Sequence, residues 1–193
     1  MHGVGMTRVY RLALAAVVAS LAVVLLGGIA RLLPPGSGCG NDWPQCDGRW
    51  LPGFAPAPMV EYGHRLAVVG VVALTVLTAL LAVREHMAST RVRRFAAASV
   101  GMILVQSGIG AFVAVWGAPP AAAILHLTAA MLFLALVVLT LAAVAADRGA
   151  PGWLGELAGG FSPARDRIFA GIATAGAALA LTLVVFGAAT SES

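Results

Sequence analysis

Long apolar runs alternate with short polar segments along this chain, and the pattern predicts membrane-spanning helices. Each run is roughly 20 residues long, the length that a helix needs to cross about 30 Å of hydrocarbon. We expect five such helices, at about 12–30, 60–83, 95–116, 120–146 and 168–188. Residues 1–193 then form a single all-α membrane domain, a four-helix bundle with a fifth transmembrane helix.

Composition supports this interpretation. The chain is 60% hydrophobic and 10% charged, with a mean hydropathy of +0.94, which is far more apolar than a soluble domain of this size needs. The first run resembles a signal peptide because Arg8 and Arg11 precede it. It is longer than the usual apolar core of a signal peptide, however, and no Ala-x-Ala site ends it, so we expect a retained helix.

The placement of arginine predicts the orientation. All 12 basic residues are arginine, and nine would lie on one side of the membrane: Arg8, Arg11, Arg84, Arg91, Arg93, Arg94, Arg148, Arg165 and Arg167. The positive-inside rule puts the N-terminus in the cytoplasm of a multi-pass plasma-membrane protein, and the loop 32–59 and the C-terminus outside. Because no basic stripe or aromatic platform accompanies the charge, we expect membrane lipid and not nucleic acid as a partner.

Two histidines lie inside apolar runs, and both are close to the extracytoplasmic face. An ionisable side chain within a membrane helix is by default a candidate functional residue. His64 and His126 fall at similar depth on two parallel helices and could ligate one metal, as the two axial ligands of a haem iron do. Each histidine taken alone could equally make an inter-helix hydrogen bond, which is also what we expect of Gln106 and Ser107.

The segment Glu61-Tyr62-Gly63-His64-Arg65 crowds ionisable groups into one turn. Glu61 stands three residues before His64 and shares its helix face, so a carboxyl there could relay a proton beside a cofactor. Arg65 could bind an acidic group such as a haem propionate. The plainer alternative is an ion pair between Glu61 and Arg65. Small residues nearby would leave room for a flat macrocycle, among them Gly63, Ala67 and Gly70.

Both cysteines of the chain, Cys39 and Cys46, lie in the 32–59 loop. On an oxidising side of the membrane a disulfide between them is plausible. The pair could be a structural staple or a redox-active pair that exchanges with a thiol partner, although the spacing is not Cys-x-x-Cys. A zinc site is not expected, because no third and fourth ligands lie nearby.

Together these motifs resemble the haem A synthase family. The resemblance rests on Gly36-Ser37-Gly38, the cysteine pair around Asp42-Trp43-Pro44, the Glu61–Arg65 segment, Gln106-Ser107-Gly108-Ile109-Gly110 and the later His126, and it covers about residues 10–146. It implies oxidation of the C8 methyl of haem O to the formyl of haem A for terminal oxidases. It also implies that His64 and His126 are haem ligands, that Glu61 is catalytic, and that Cys39 and Cys46 match the family's cysteine pair.

Typical members of that family have eight helices in two similar halves, with a second histidine pair in the C-terminal half. The present chain matches the N-terminal half. The resemblance therefore implies haem O as substrate or haem b as cofactor, with a homodimer or a second haem-bearing chain supplying another haem site. A haem O-producing enzyme and a terminal oxidase would be its partners in the pathway.

Three functions remain open on the sequence. The first is a haem A synthase-type oxidoreductase. The second is a non-catalytic membrane haem-binding protein, acting as an electron carrier or an oxidase assembly factor. The third is a thiol–disulfide protein whose histidines are only structural.

Overall fold

The computed structural model describes residues 2–33, 37–117 and 119–148, with side chains described from Thr7 onward. These residues form four helices, α1 (His2–Arg31), α2 (Pro56–Arg84), α3 (Thr90–Trp116) and α4 (Pro120–Asp147). Each is long and apolar enough to cross a membrane. The predicted all-α membrane bundle is thus confirmed. The predicted fifth helix, 168–188, lies outside the described residues, and the single domain stays a prediction.

Helix boundaries differ from the predicted ones, chiefly at the starts. Helix α2 begins at Pro56 rather than near residue 60, and proline at the first helical position has a backbone angle already suited to a helix. Helix α3 begins at Thr90, where the Ser89 hydroxyl accepts a hydrogen bond from the N–H of Val92 at 3.3 Å. Hydropathy marks only the hydrocarbon thickness, whereas a helix can continue through the headgroup region. Glu61 consequently lies within α2 and not at its entrance.

The helices are arranged as a ring in chain order. Helix α1 packs on α2 and α4, and α3 packs on α2 and α4, so that α2 and α4 occupy diagonal corners. Successive helices joined by short turns run in opposite directions, which makes α2 and α4 parallel. His64 and His126 thus lie on parallel helices, as the sequence predicts, and the contacts show that these helices are diagonally opposed.

The two ends of the bundle differ in packing. We call the end that carries residues 37–55 the loop end, and the opposite end, with the turn between α2 and α3, the closed end. The buried apolar residues concentrate at the closed end and in the middle of the bundle, and include Val9, Ala82, Val92, Ala143 and Val144, then Val23, Val71, Ile103, Phe133 and Val137. Side chains near the loop end are mostly only half-buried. The closed end therefore supplies the packed core, and the loop end is less tightly filled.

Polar contacts fasten the closed end. The backbone N–H of Ser89 donates to Asp147 Oδ2 at 2.7 Å, which ties the turn before α3 to the end of α4. The guanidinium of Arg148 lies 4.4 Å from the ring centroid of Tyr10, a cation–π contact between the ends of α4 and α1. These contacts fix the helix ends that lie farthest from the two histidines.

Overpacking the closed end tests this distribution of the core. Ala82 is fully buried in α2, whereas Ala73 in the same helix is exposed. We expect Ala82→Leu to lower the free energy of unfolding by about 1–3 kcal/mol, because three added carbons have no space. Ala73→Leu should change it by less than about 0.5 kcal/mol. Thermal unfolding of both variants in the same detergent measures the difference, and equal transition temperatures would contradict the packing described.

Candidate functional site

His64 projects from α2 onto the backbone of α1. Its Nδ1 lies 3.1 Å from the carbonyl oxygen of Val23. Because a carbonyl can only accept, this hydrogen bond places the proton on Nδ1 and leaves a lone pair on Nε2. Gly27 lies one turn farther along α1, and a Cβ there would come 2.9 Å from Cε1 of His64. The ring therefore rests on bare helix backbone that any larger residue would obstruct.

His126 is seated in the same manner on α3. A Cβ at Gly110 would come 2.9 Å from Cε1 of His126. The backbone carbonyl of Gln106, one turn before Gly110, interacts with the ring, although the buried Nδ1 makes no hydrogen bond of normal geometry with the described residues. The α1–α2 and α3–α4 pairs thus each contribute one glycine and one histidine in equivalent positions.

The fold brings the two imidazoles together. His64 and His126 are close enough to interact electrostatically, and both are half-buried at the loop end of the bundle. Two imidazoles at the same end of the bundle, each with a ring nitrogen that makes no hydrogen bond among the described residues, form a pair of donors suited to a transition metal.

The number of donors narrows the kind of metal group. Within the described ranges there is no group of three or more His, Cys, Asp or Glu side chains that could hold a metal ion. Two histidines alone do not complete the coordination of zinc or of a non-haem iron. A haem brings four nitrogens of its own and needs only axial ligands from the protein. The residues present therefore fit a haem better than a bare ion.

A small polar region lies one turn from the histidines toward the middle of the bundle. Gln106 is 6% exposed and lines a cavity with Ser20, Val23, Val71, Ala130 and Phe133. Gln106 Oε1 and Ser107 Oγ have no hydrogen-bond partner among the described residues. The inter-helix hydrogen bonds expected from these two atoms are therefore not formed there; the Ser20 hydroxyl, which lines the same cavity, donates instead to the Ala16 carbonyl of its own helix.

Glu61 connects α2 to the cysteine loop. Its Oε1 accepts a hydrogen bond from Arg65 Nη2 at 2.5 Å, so the i,i+4 ion pair is present. Its Oε2 accepts the backbone N–H of Cys39 at 3.0 Å. A Cβ at Gly38 would overlap Oε2, and only glycine lets the carboxylate reach this far. Both carboxylate oxygens are thus engaged one turn from His64.

Two neighbours of Glu61 extend this contact. Arg65 Nη1 donates to the carbonyl of Gln45 at 2.5 Å, and the Tyr62 hydroxyl donates to the carbonyl of Trp50. Three side chains of one helical turn therefore hold the main chain of the loop. A guanidinium carries five N–H donors, more than these two bonds use, so the predicted contact of Arg65 with an acidic haem group stays a prediction.

The cysteine loop is stapled and closed. Cys39 and Cys46 form a disulfide, and their residues are 0% and 1% exposed. Backbone hydrogen bonds join Cys46 to Arg49 in both directions and Asp47 to Cys39. Thiol–disulfide exchange requires access to a sulfur, so this geometry favours the structural staple over an exchanging pair.

Sequence reasoning found the histidines but not their supports. The contacts of Gly27 and of the Val23 carbonyl with His64 were not predicted, and Gly110 was noted only as part of the Gln106–Gly110 motif, because the sequence pattern does not distinguish these positions from ordinary helix-packing positions. Gly70, by contrast, is exposed, and a Cβ added there would meet no atom of the described residues within 4 Å, so it does not hold either histidine ring.

Comparisons with known proteins identify the family to which the chain is similar. Residues 10–193 match the family model described as cytochrome oxidase assembly protein. A protein named heme A synthase from Geobacillus thermodenitrificans is 35% identical over 136 residues, which is 68% of this chain and 42% of that protein. A heme A synthase from Exiguobacterium sibiricum is 34% identical over 125 residues, 62% of this chain and 41% of that protein.

The chain thus spans about 42% of the length of the first of these relatives. No solved structure matches it. The family model, however, covers most of the sequence, including the histidine pair, the Glu61–Arg65 segment and the cysteine loop. On this ground the chain is a multi-pass membrane protein that belongs to the cytochrome oxidase assembly protein family.

Proposed function

We propose that this chain binds a haem between His64 and His126 and acts as a haem A synthase-type oxidoreductase, oxidising the C8 methyl of haem O toward the formyl of haem A. The observation that carries the proposal is the pair of histidines, each held against a glycine of the preceding helix and close to the other. The names of the relatives support the substrate class.

Each histidine is prepared for ligation by its own helix pair. The Val23 carbonyl holds the proton on Nδ1 of His64 and leaves Nε2 free, which is the arrangement that outer contacts impose on metal-binding histidines. Gly27 and Gly110 let both rings sit close to the backbone of α1 and α3. A bound haem supplies the redox-active iron. The protein orients the ligands and excludes water with the apolar middle of the bundle.

Glu61 is the proton-handling group of the proposal. Converting a methyl to a formyl group with water as the oxygen source withdraws four electrons and releases four protons, so an external electron acceptor and a nearby base are needed. The carboxylate of Glu61 lies one turn from His64 on the loop side and is held in place by Arg65 and the Cys39 N–H. A general base must first be held within reach of the proton that it accepts, and these two contacts hold the carboxylate of Glu61 in a fixed position.

The orientation and the partners complete the proposal. Arginines at the closed end, such as Arg84, Arg93 and Arg148, favour the cytoplasm for that end and the extracytoplasmic side for the cysteine loop of a plasma-membrane protein. A haem O-producing enzyme would supply the substrate and a terminal oxidase would receive the product. A homodimer or a second haem-bearing chain would provide the haem that accepts electrons.

Removing either ligand tests the haem site. We expect the purified protein to show a reducible low-spin haem spectrum, and His64→Ala or His126→Ala to abolish it, because one axial ligand is lost. His86→Ala is the matched control, since His86 is exposed in the turn at the closed end. Absorption spectra in detergent decide the matter. An unchanged low-spin spectrum in both site variants would refute bis-histidine ligation.

Filling the glycine positions tests the seating of the rings. Gly27→Ala and Gly110→Ala place a methyl 2.9 Å from Cε1 of the facing histidine, so each ring must move. We expect haem affinity to fall by roughly 10–100-fold, the usual effect of disturbing the support of a metal ligand. Gly28→Ala and Gly108→Ala are adjacent controls whose added methyl meets no described atom within 4 Å. Haem titrations of the four variants should show weaker binding for Gly27→Ala and Gly110→Ala than for the two controls. Equal affinities in all four variants would argue against this position of the rings.

Catalysis is tested separately from binding. In cells that make haem O, Glu61→Gln should keep the low-spin spectrum but yield no haem A or hydroxylated haem on extraction, because the amide cannot accept a proton. Glu85→Gln, at the other end of α2, should convert haem O normally. If the wild-type chain binds haem without converting it, the non-catalytic haem-binding function is correct instead. If Glu61→Gln converts haem O at the wild-type rate, Glu61 is not the base.

A further inference from the structure

Arg31 occupies a distinctive place at the loop end. It is the last residue of α1, one turn beyond Gly27 and two turns beyond Val23, so all three lie on one face of that helix. Val23 and Gly27 are the residues that receive His64. Arg31 therefore stands about 6 Å beyond the imidazole contact along the helix axis, toward the membrane surface.

The charge of Arg31 reaches His126 and is not neutralised within the described part of the chain. Arg31 interacts electrostatically with His126 across the bundle. The ion pair described at the loop end joins Arg65 to Glu61, and the side-chain hydrogen bonds described at that end come from Arg65, Tyr62 and the backbone of Cys39, not from Arg31. A positive charge near a metal-binding histidine is unfavourable for a cationic metal unless an anion comes between them.

The other arginines at this end are placed differently. Arg65 is 11% exposed at its side chain and is already bonded to Glu61 and to the Gln45 carbonyl. Arg49 lies in the disulfide-closed loop, where its backbone pairs with Cys46. Of these three arginines, Arg31 is the one whose guanidinium has no partner among the described residues. It also lies on the face of α1 that contacts His64.

We propose that Arg31 binds a carboxylate substituent of the macrocycle held between His64 and His126, and so fixes which edge of the ring faces the loop end. This inference rests on the proposed function. A guanidinium and a carboxylate make short, paired hydrogen bonds whose direction is specific. Arg31 acts here as a positioning residue that selects the rotation of the ligand about the axis between the two imidazoles.

A cycle of protein and ligand variants tests the proposal. Haem-free protein in detergent is titrated with iron protoporphyrin IX and with its dimethyl ester, and affinity is followed by the low-spin absorption bands. Wild-type protein should bind the ester about tenfold more weakly than the free acid. Arg31→Gln should bind both ligands with similar affinity, because the carboxylate partner is gone. Comparing the ratios between variants cancels the different partition of the two ligands into micelles.

Two further variants make the outcome specific. Arg49→Gln removes one positive charge at the same end of the bundle, as Arg31→Gln does. It should retain the wild-type ratio of affinity for the free acid to affinity for the ester. If Arg31→Gln still prefers the free acid over the ester by the wild-type ratio, the inference is overturned. If only Arg65→Gln loses that preference, the carboxylate binds Arg65 instead. If the wild-type protein forms no low-spin complex with either ligand, the proposed function fails and Arg31 has no role of this kind. If the wild-type protein forms a low-spin complex and Arg31→Gln has the same affinity ratio as the wild type, only the inference about Arg31 is refuted.

Discussion

The close approach of two imidazole rings to bare helix backbone is the constraint on which the rest of the site depends. His64 lies against Gly27 and bonds to the Val23 carbonyl, and His126 lies against Gly110. With side chains at the two glycines, helices α1 and α2, or α3 and α4, could not keep both their spacing and these ring positions. Packing of α1 on α4 and of α2 on α3 then joins the two helix pairs into one bundle.

Stability and chemistry are divided between the ends of the bundle. The closed end holds small, fully buried residues such as Ala82, Val92 and Val144, which allow tight helix contact. The loop end keeps half-buried residues and, near the histidines, polar atoms without partners among the described residues. A packed core at one end lets the other end carry groups that would cost stability in a uniformly filled bundle. The packed closed end thus stabilises the bundle, and the loop end is left open enough to bind a ligand.

Much of the fold was predictable from the sequence, because four apolar runs of membrane-spanning length leave little choice of element. The parallel relation of α2 and α4, and with it the placement of His64 and His126 at the same end of the bundle, followed from counting the spans. The helix starts were less accurate, since hydropathy does not report how far α2 extends to Pro56. The ion pair between Glu61 and Arg65 was one of two alternatives, and only the side-chain geometry could select it.

The attachment of the cysteine loop to α2 has a consequence for how that loop can vary. Glu61, Tyr62 and Arg65 each contact the loop through its main chain: the N–H of Cys39 and the carbonyls of Trp50 and Gln45. Main-chain groups are present whatever residue occupies the position. Surface side chains such as Trp50 can therefore be exchanged freely in an engineered loop, provided that its length and path return the same three peptide groups to the helix. Helix α2 therefore recognises the backbone path of the loop and not its side chains.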